Sequence, residues 1–221
     1  MELLSKLLWK KNNELRKPYG YDVPVFIQDF HNNIDKIILE WQNYTLATSS
    51  IGVPIDEFSD YQKELNKDKK WKAFFVFIFG ELNPDAATYF PLTSMLGEKW
   101  KNDIKLIFFS NLEPGSHLAA HRGNNHSVIR VQLGIDIKQP QSTGLRVADK
   151  IIQLKNKELF IFDDTFEHEA WNTGKDVRTV LIIDYKKKFP PLYDLINRYM
   201  LKKMKETPYV QSVLAKLKNR N

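Results

Sequence analysis

Cysteine is absent from all 221 residues, which excludes disulfides and thiolate metal sites. That absence fits a reducing compartment without requiring one. No apolar run approaches the roughly 20 residues of a membrane-spanning helix. The stretch Met1–Trp9 is too short and too interrupted by charge to read as a signal peptide. A soluble, cytoplasmic protein with no transmembrane segment is therefore the expectation. Internal repeats and low-complexity tracts are missing as well, which excludes solenoids and disordered linkers. Acidic residues are scarce in one place only. Lys186–Asn221 carries ten Lys/Arg against two Asp/Glu, a balance of +8, whereas the first 185 residues carry 23 basic and 25 acidic, a balance of −2. A basic tail of this kind is usually the solvated face of amphipathic helices, with a nucleic-acid or anionic-lipid surface as the alternative. Nucleic acid is not expected, because the tail lacks the interleaved aromatic and basic residues that stack bases.

What is present is ample apolar content, 43% hydrophobic and 13% aromatic, enough to bury a core as one domain over residues 1–221. Its expected parts are a helical stretch over about 1–70, a β core over about 71–186 and a basic helical tail over about 187–221. Apolar periodicity predicts helices over 1–20, over 29–43 with Asp29 as N-cap, weakly over 56–69, and from Pro91 onward. Aromatic and β-branched content predicts strands at 71–79, 104–112, 127–137, 145–154, 158–163 and 178–185. Helices follow Pro190-Pro191. Short strands at this spacing, with helices gathered before and after, argue for an α+β protein, mainly β with flanking helices, whose strands form a sandwich or barrel.

The chemistry-bearing residues cluster in the β core. Of five histidines, His31, His117, His121, His126 and His168, two stand where strand-like runs begin or end: His121 and His168, 47 residues apart. Strand alternation puts Val128, Arg130, Gln132 and Gly134 on one face of the 127–137 run and Ile129, Val131, Leu133 and Ile135 on the other. An arginine in the middle of such a strand is costly unless it meets an anion, and Arg178 opens the last strand with the same problem. Two imidazoles brought together by antiparallel strands, with inward arginines, suit a metal that also holds an anionic ligand. Either arginine alone is explained equally well by an ion pair with a protein carboxylate.

Several words in this region resemble the aspartyl/asparaginyl β-hydroxylase family of Fe(II)- and 2-oxoglutarate-dependent dioxygenases: Glu113-Pro114-Gly115-Ser116-His117, His121-Arg122-Gly123, Ile129 to Gly134, and above all Phe160 to Trp171. Trp71 to Phe75 and Phe90 to Thr93 add to them, so the likeness spans roughly residues 70–186. The resemblance implies a double-stranded β-helix, the cupin-like jelly roll, and an oxidoreductase that hydroxylates a C–H bond with O2. It implies His121 and His168 as iron ligands, Ser110 and Arg178 on the distal carboxylate of 2-oxoglutarate, and Arg130 on the carboxylate beside the keto group. Gln132 stands where the animal enzymes have a histidine. Gly123 stands where commoner dioxygenases carry a third, carboxylate ligand, a departure this family shares. Asp163 and Asp164 read as strand-end and turn residues rather than as that ligand, and His117 and His126 as structural. The expected substrate atom is the β-carbon of an Asp- or Asn-type residue in a peptide or small molecule. Val128, where the animal enzymes have a substrate-binding arginine, weakens that expectation. The alternatives are hydroxylation of a lipid acyl chain, or a cupin-like binding module without turnover.

Overall fold

A computed structural model describes residues 2–58 and 60–218 of the chain. Helix α1 (Glu2–Leu15) contains the Leu3, Leu4, Leu7 and Leu8 face and ends short of residue 20, where Pro18 and Gly20, the latter at φ +80°, turn the chain out of helix. Two helices replace the single one expected from Asp29: α2 (Val25–Asn32) and α3 (Ile34–Thr48). Asp29 is therefore inside α2 and caps nothing. Its carboxylate instead accepts hydrogen bonds from Lys99 Nζ at 2.7 Å and Trp100 Nε1 at 2.9 Å, a tertiary tie that local pattern cannot show. Strand β1 (Val53–Pro54) and helix α4 (Asp60–Leu65) precede β2 (Trp71–Ile78) and β3 (Glu81–Leu82). The reversal between the last two uses Phe79 at φ 47° and Gly80 at φ 89°. Helices α5 (Ala86–Tyr89) and α6 (Pro91–Lys99) follow; α6 opens at Pro91 as expected, where a fixed φ and a missing N–H cost nothing.

The remaining strands are β4 (Ile104–Leu112), β5 (Ser116–His121), β6 (Val128–Asp136), β7 (Thr143–Val147), β8 (Lys150–Ile152), β9 (Leu159–Phe162), β10 (His168–Asn172) and β11 (Arg178–Lys186), followed by helices α7 (Pro191–Lys205) and α8 (Pro208–Lys218). The single run expected over 145–154 is a hairpin, since Ala148 at φ 51° breaks it between β7 and β8. Strands β5 and β10 lie outside the runs expected from sequence. They form two antiparallel sheets, one in the order β1-β2-β4-β11-β6-β9 with β3 beside β2, the other in the order β5-β10-β7-β8. Two facing antiparallel sheets with the chain shuttling between them make the cupin-like double-stranded β-helix.

The larger sheet has two buried faces, and alternation sorts them. Ile129, Val131, Leu133 and Ile135 of β6, with Leu181 and Ile183 of β11, pack outward against Phe30, Ile37 and Trp41 of α2 and α3. Trp41 stacks on Phe109 of β4 at 4.8 Å between ring centroids. Burying each such side chain contributes about 1.5–3 kcal/mol, so this layer fixes the register of the sheet. The opposite face of β4, β6 and β11 looks at the smaller sheet across a core containing Phe108, Val180 and Ile182, with Leu118, Leu145 and Ala170 from the other side. Into that same interior the strands also turn Ser110, Arg130, Gln132, His168 and Arg178. Apolar packing surrounds the polar group on all sides.

Candidate active site

His121 ends β5 and His168 begins β10, and the two are direct cross-strand partners. Their ring centroids are 4.2 Å apart. Each Nδ1 lies against a backbone carbonyl two residues earlier, His121 on Ala119 at 2.7 Å and His168 on Phe166 at 2.9 Å. A carbonyl only accepts, so each Nδ1 carries the proton and each Nε2 keeps its lone pair. Burial favours the neutral ring: it pushes His168 down to about 3 and also lowers His121. Neutral, Nδ1-anchored imidazoles facing one another are the protonation state and orientation that a metal ion requires. Among the described residues no cluster of three or more His, Asp, Glu or Cys side chains is placed to share a metal.

Below the pair, a void of about 30 Å³ is lined by Trp71, Ser110, Gln132 and Arg178 together with apolar side chains. Arg178 is 3% exposed. Among the described residues its side chain donates from Nη2 to Gln132 Oε1 at 2.9 Å, and its buried Nε finds no acceptor. Burial without a facing carboxylate lowers its pKa to about 10, leaving it charged at neutral pH. Trp71 Nε1 donates to Ser110 Oγ at 2.9 Å, which leaves the Ser110 hydroxyl proton free to donate. The guanidinium can only donate, so Gln132 must turn its oxygen to Arg178 and its NH2 group elsewhere. One buried, unanswered cation beside the Ser110 hydroxyl and the Gln132 amide is an arrangement that an anion could complete.

Arg130 is different. It was expected to face the same ligand, but its fork grips a protein carboxylate: Nε donates to Asp184 Oδ1 at 2.8 Å and Nη2 to Oδ2 at 2.7 Å. Its Nη1 lies 3.3 Å from Asp164. Asp164 is buried, one of its oxygens has no partner, and its pKa rises to about 6 because desolvation outweighs the pull of Arg130. A Cβ placed on Gly123 would stand 2.5 Å from the Asp164 carboxylate, and Gly123 N donates to Asp164 O at 2.7 Å. The room that a carboxylate at 123 would need is thus taken by Asp164. Asp163, next in the chain, binds Thr165 and the buried Lys187, which holds the 163–167 turn beneath His168.

The structure brings His121, His168, Ser110, Arg130, Gln132 and Arg178 into one cavity. It leaves His117 outside, against Glu169 at 3.0 Å, and His126 against Asn12 at 3.0 Å. Three participants were not expected: Trp71, Asp164 and Asp184. Asp184 could have been read from alternation, since it shares a strand face with Arg178. An outer cleft of about 560 Å³ meets the cavity at His121, Arg130, His168 and Trp71, and its apolar wall is Leu65, Phe79, Leu106, Val128, Met204 and Val210.

The family description Aspartyl/Asparaginyl beta-hydroxylase matches residues 31–188. The chain is 29% identical over 207 residues to an ornithine lipid ester-linked acyl 2-hydroxylase of Rhizobium tropici, covering 92% of this chain and 73% of that protein. It is 28% identical over 131 residues to aspartyl/asparaginyl beta-hydroxylases of Mus musculus and Homo sapiens. Those matches cover 58% of this chain but 18% and 17% of the mammalian proteins, so the chain corresponds to less than a fifth of their length. Among solved structures, the Schizosaccharomyces pombe Cnp3 cupin domain aligns at TM-score 0.36 and 11% identity, over 53% of this chain and 66% of that one. A Cupin_2 domain of an XRE family transcriptional regulator from Enterobacter cloacae aligns at 0.32 and 13%, over 38% and 82%.

Proposed function

The chain belongs to the aspartyl/asparaginyl β-hydroxylase family, and from that premise we propose that it is an Fe(II)- and 2-oxoglutarate-dependent dioxygenase that hydroxylates a C–H bond of a lipid acyl chain. The observation that carries the cosubstrate is Arg178. A buried guanidinium with an orphaned Nε and no carboxylate partner among the described residues is a cost to the fold that an anionic ligand would offset. The donor set fits the group: two neutral imidazoles with free Nε2 lone pairs for iron, and Arg178 with the Ser110 hydroxyl for the distal carboxylate.

When bound, iron with 2-oxoglutarate and O2 supplies the oxidising power, releasing succinate and CO2 and delivering one oxygen atom to the C–H bond. The rest is the protein's contribution. His121 and His168 present their Nε2 atoms from a rigid two-strand frame. Arg178 would fork the far carboxylate and Ser110 would donate to it, orienting the ligand within the cavity. Gln132, held by Arg178, would offer its NH2 group to the same ligand, with the Asp184-bound Arg130 lining the cavity beside it. Leu118, Leu145, Phe162 and Ile182 keep bulk water from the cavity.

The acyl-chain reading replaces the Asp/Asn β-carbon on two grounds. The cleft that ends at the histidines has an apolar wall, with Val128 in it. The relative that covers 92% of this chain is named for an acyl 2-hydroxylase. The test is Fe(II)-dependent succinate release from 2-oxoglutarate with acyl lipids and with Asp- or Asn-bearing peptides offered side by side. Acyl lipids should stimulate it, and His121→Ala or His168→Ala should abolish it, since a metal with two protein ligands has no redundancy. His117→Ala and His126→Ala should keep most of it. Stimulation by the peptides alone would return the substrate to a β-carbon, and turnover surviving in His121→Ala would remove the ligand assignment.

A further inference from the structure

A second hollow, of about 640 Å³, adjoins the cleft. It is lined by Lys101, Lys105, Lys186, Arg198, Lys202 and Lys205, with Asp103 as its one acidic residue. The sequence gathers these cations from three places: the turn before β4 with the start of that strand, the end of β11 and one flank of α7. Neighbouring carboxylates answer some of them. Asp194 reaches Lys186 at 3.4 Å and Arg198 at 2.7 Å, Glu81 reaches Lys205 at 3.3 Å, and Glu98 reaches Lys101 at 3.5 Å. Six cations against Asp103 and these three carboxylates still leave the hollow positive. Lys105 is half-buried and pinned by the carbonyls of Lys101 at 3.1 Å and Asn102 at 2.9 Å. Two of its three donors are thus used, and the ammonium is held in place with one to spare.

The two spaces share a threshold. Phe79 and Lys105 line both, and on α7 Leu201 faces the hollow one turn before Met204 faces the cleft. A positive chamber therefore gives directly onto an apolar channel that ends at His121 and His168. We propose that together they form one bipartite site for an amphiphile with a phosphate-bearing, anionic head: the head lies in the basic hollow, and the acyl chain crosses Phe79 and runs down the cleft. This rests on the acyl-chain reading above, and adds to it the head group and the residues that select it. A nucleic acid would use the cations but leave the apolar channel and the bare Leu192, Leu195 and Tyr199 on the outer face of α7 without a partner, whereas a lipid has use for all three features.

The test measures binding by the full chain without iron or 2-oxoglutarate, so that it does not depend on turnover. The probes are oleoyl lysophosphatidic acid, oleoyl lysophosphatidylcholine and an uncharged maltoside detergent, each below its aggregation threshold, with a single-stranded oligonucleotide as a fourth. The lysophosphatidic acid should bind about tenfold or more tighter than the other two lipids, an advantage that falls as salt rises. Lys101→Glu with Lys202→Glu, both exposed and remote from the histidines, should erase that preference while leaving maltoside binding intact. Met204→Trp, which fills the cleft, should weaken all three amphiphiles alike. Equal affinity for charged and uncharged heads, or no effect of the double charge reversal, overturns the head-group site while the acyl reading stands. Failure of every amphiphile to bind removes the acyl reading itself. Oligonucleotide binding that exceeds the lysophosphatidic acid and vanishes in the charge-reversed variant assigns the basic hollow to nucleic acid instead.

Discussion

Arg130 and Arg178 lie on the same inner face of the larger sheet, on neighbouring strands, and both are positive charges in an apolar interior. Their surroundings differ. Arg130 is forked by Asp184 and touched by Asp164, so its charge is answered within the protein. Arg178 has one glutamine oxygen and an orphaned Nε. An inward arginine is therefore not in itself a sign of an anionic ligand. The sign is an inward arginine for which the strands around it supply no carboxylate. Asp184 and Asp164 answer Arg130, whereas no carboxylate among the described residues answers Arg178.

Substitution should separate the two. Arg130→Met leaves Asp184 and Asp164 as buried, unanswered carboxylates, and should cost about 3–5 kcal/mol of stability in the metal-free protein. Arg178→Met removes a charge that no carboxylate among the described residues answers, so stability should be unchanged or higher, while stabilisation by added 2-oxoglutarate disappears. Urea denaturation of both variants, with and without 2-oxoglutarate, reads the contrast, and equal losses in the two would erase it. The subtler variant is Arg178→Lys, which keeps the charge but loses the planar fork. Losing one charge-assisted bond costs about 1.5–3 kcal/mol, a rise of roughly 10- to 150-fold in the 2-oxoglutarate needed. Iron affinity should not follow, because Arg178 lies at the far end of the ligand. Unchanged 2-oxoglutarate affinity in Arg178→Lys would leave the binding-module alternative standing.

Alternation carried much of this into view before any coordinates. The two faces of β6 read correctly because its side chains are buried on both sides, and a strand sandwiched between helices and a second sheet cannot slip register without moving Arg130 into the Trp41 layer. Strands β5 and β10 escaped because they are short and polar. In β10, Glu169 and Trp171 face outward between the buried His168, Ala170 and Asn172, and the histidine at its head reads as loop until its partner is known. The Arg130–Asp184 pair is 54 residues apart in sequence, a contact set by pairing of β6 with β11 rather than by any local signal. The basic hollow was visible as tail charge alone. Its shape needs α7 folded against the start of β4, which no composition reveals.

Protons offer the finest test of the contrast between an answered and an unanswered interior. His168 is held near 3 in the fold against 6.5 when free, so over that interval the unfolded chain binds a proton that the folded one refuses. Its contribution to stability is whole above about 6.5 and is lost as pH falls, by up to about 1.4 kcal/mol per pH unit. His121, also lowered by burial, acts in the same sense. Asp164 acts in the opposite sense. Raised to about 6 from 3.8, it binds a proton in the fold that the unfolded chain has already given up, so its contribution is whole below 3.8 and lost as pH rises through 6. Between about 4 and 6 the Asp164 proton offsets that of His168. The metal-free protein should therefore lose stability gently across that window and steeply below it. Asp164→Asn, which keeps the shape but not the proton, should bring the steep loss forward to just below pH 6.5. His168→Leu should flatten the profile instead. Denaturation midpoints from pH 7 to 4 distinguish these outcomes, and a wild-type profile reproduced by both variants would mean that neither group titrates as its burial requires.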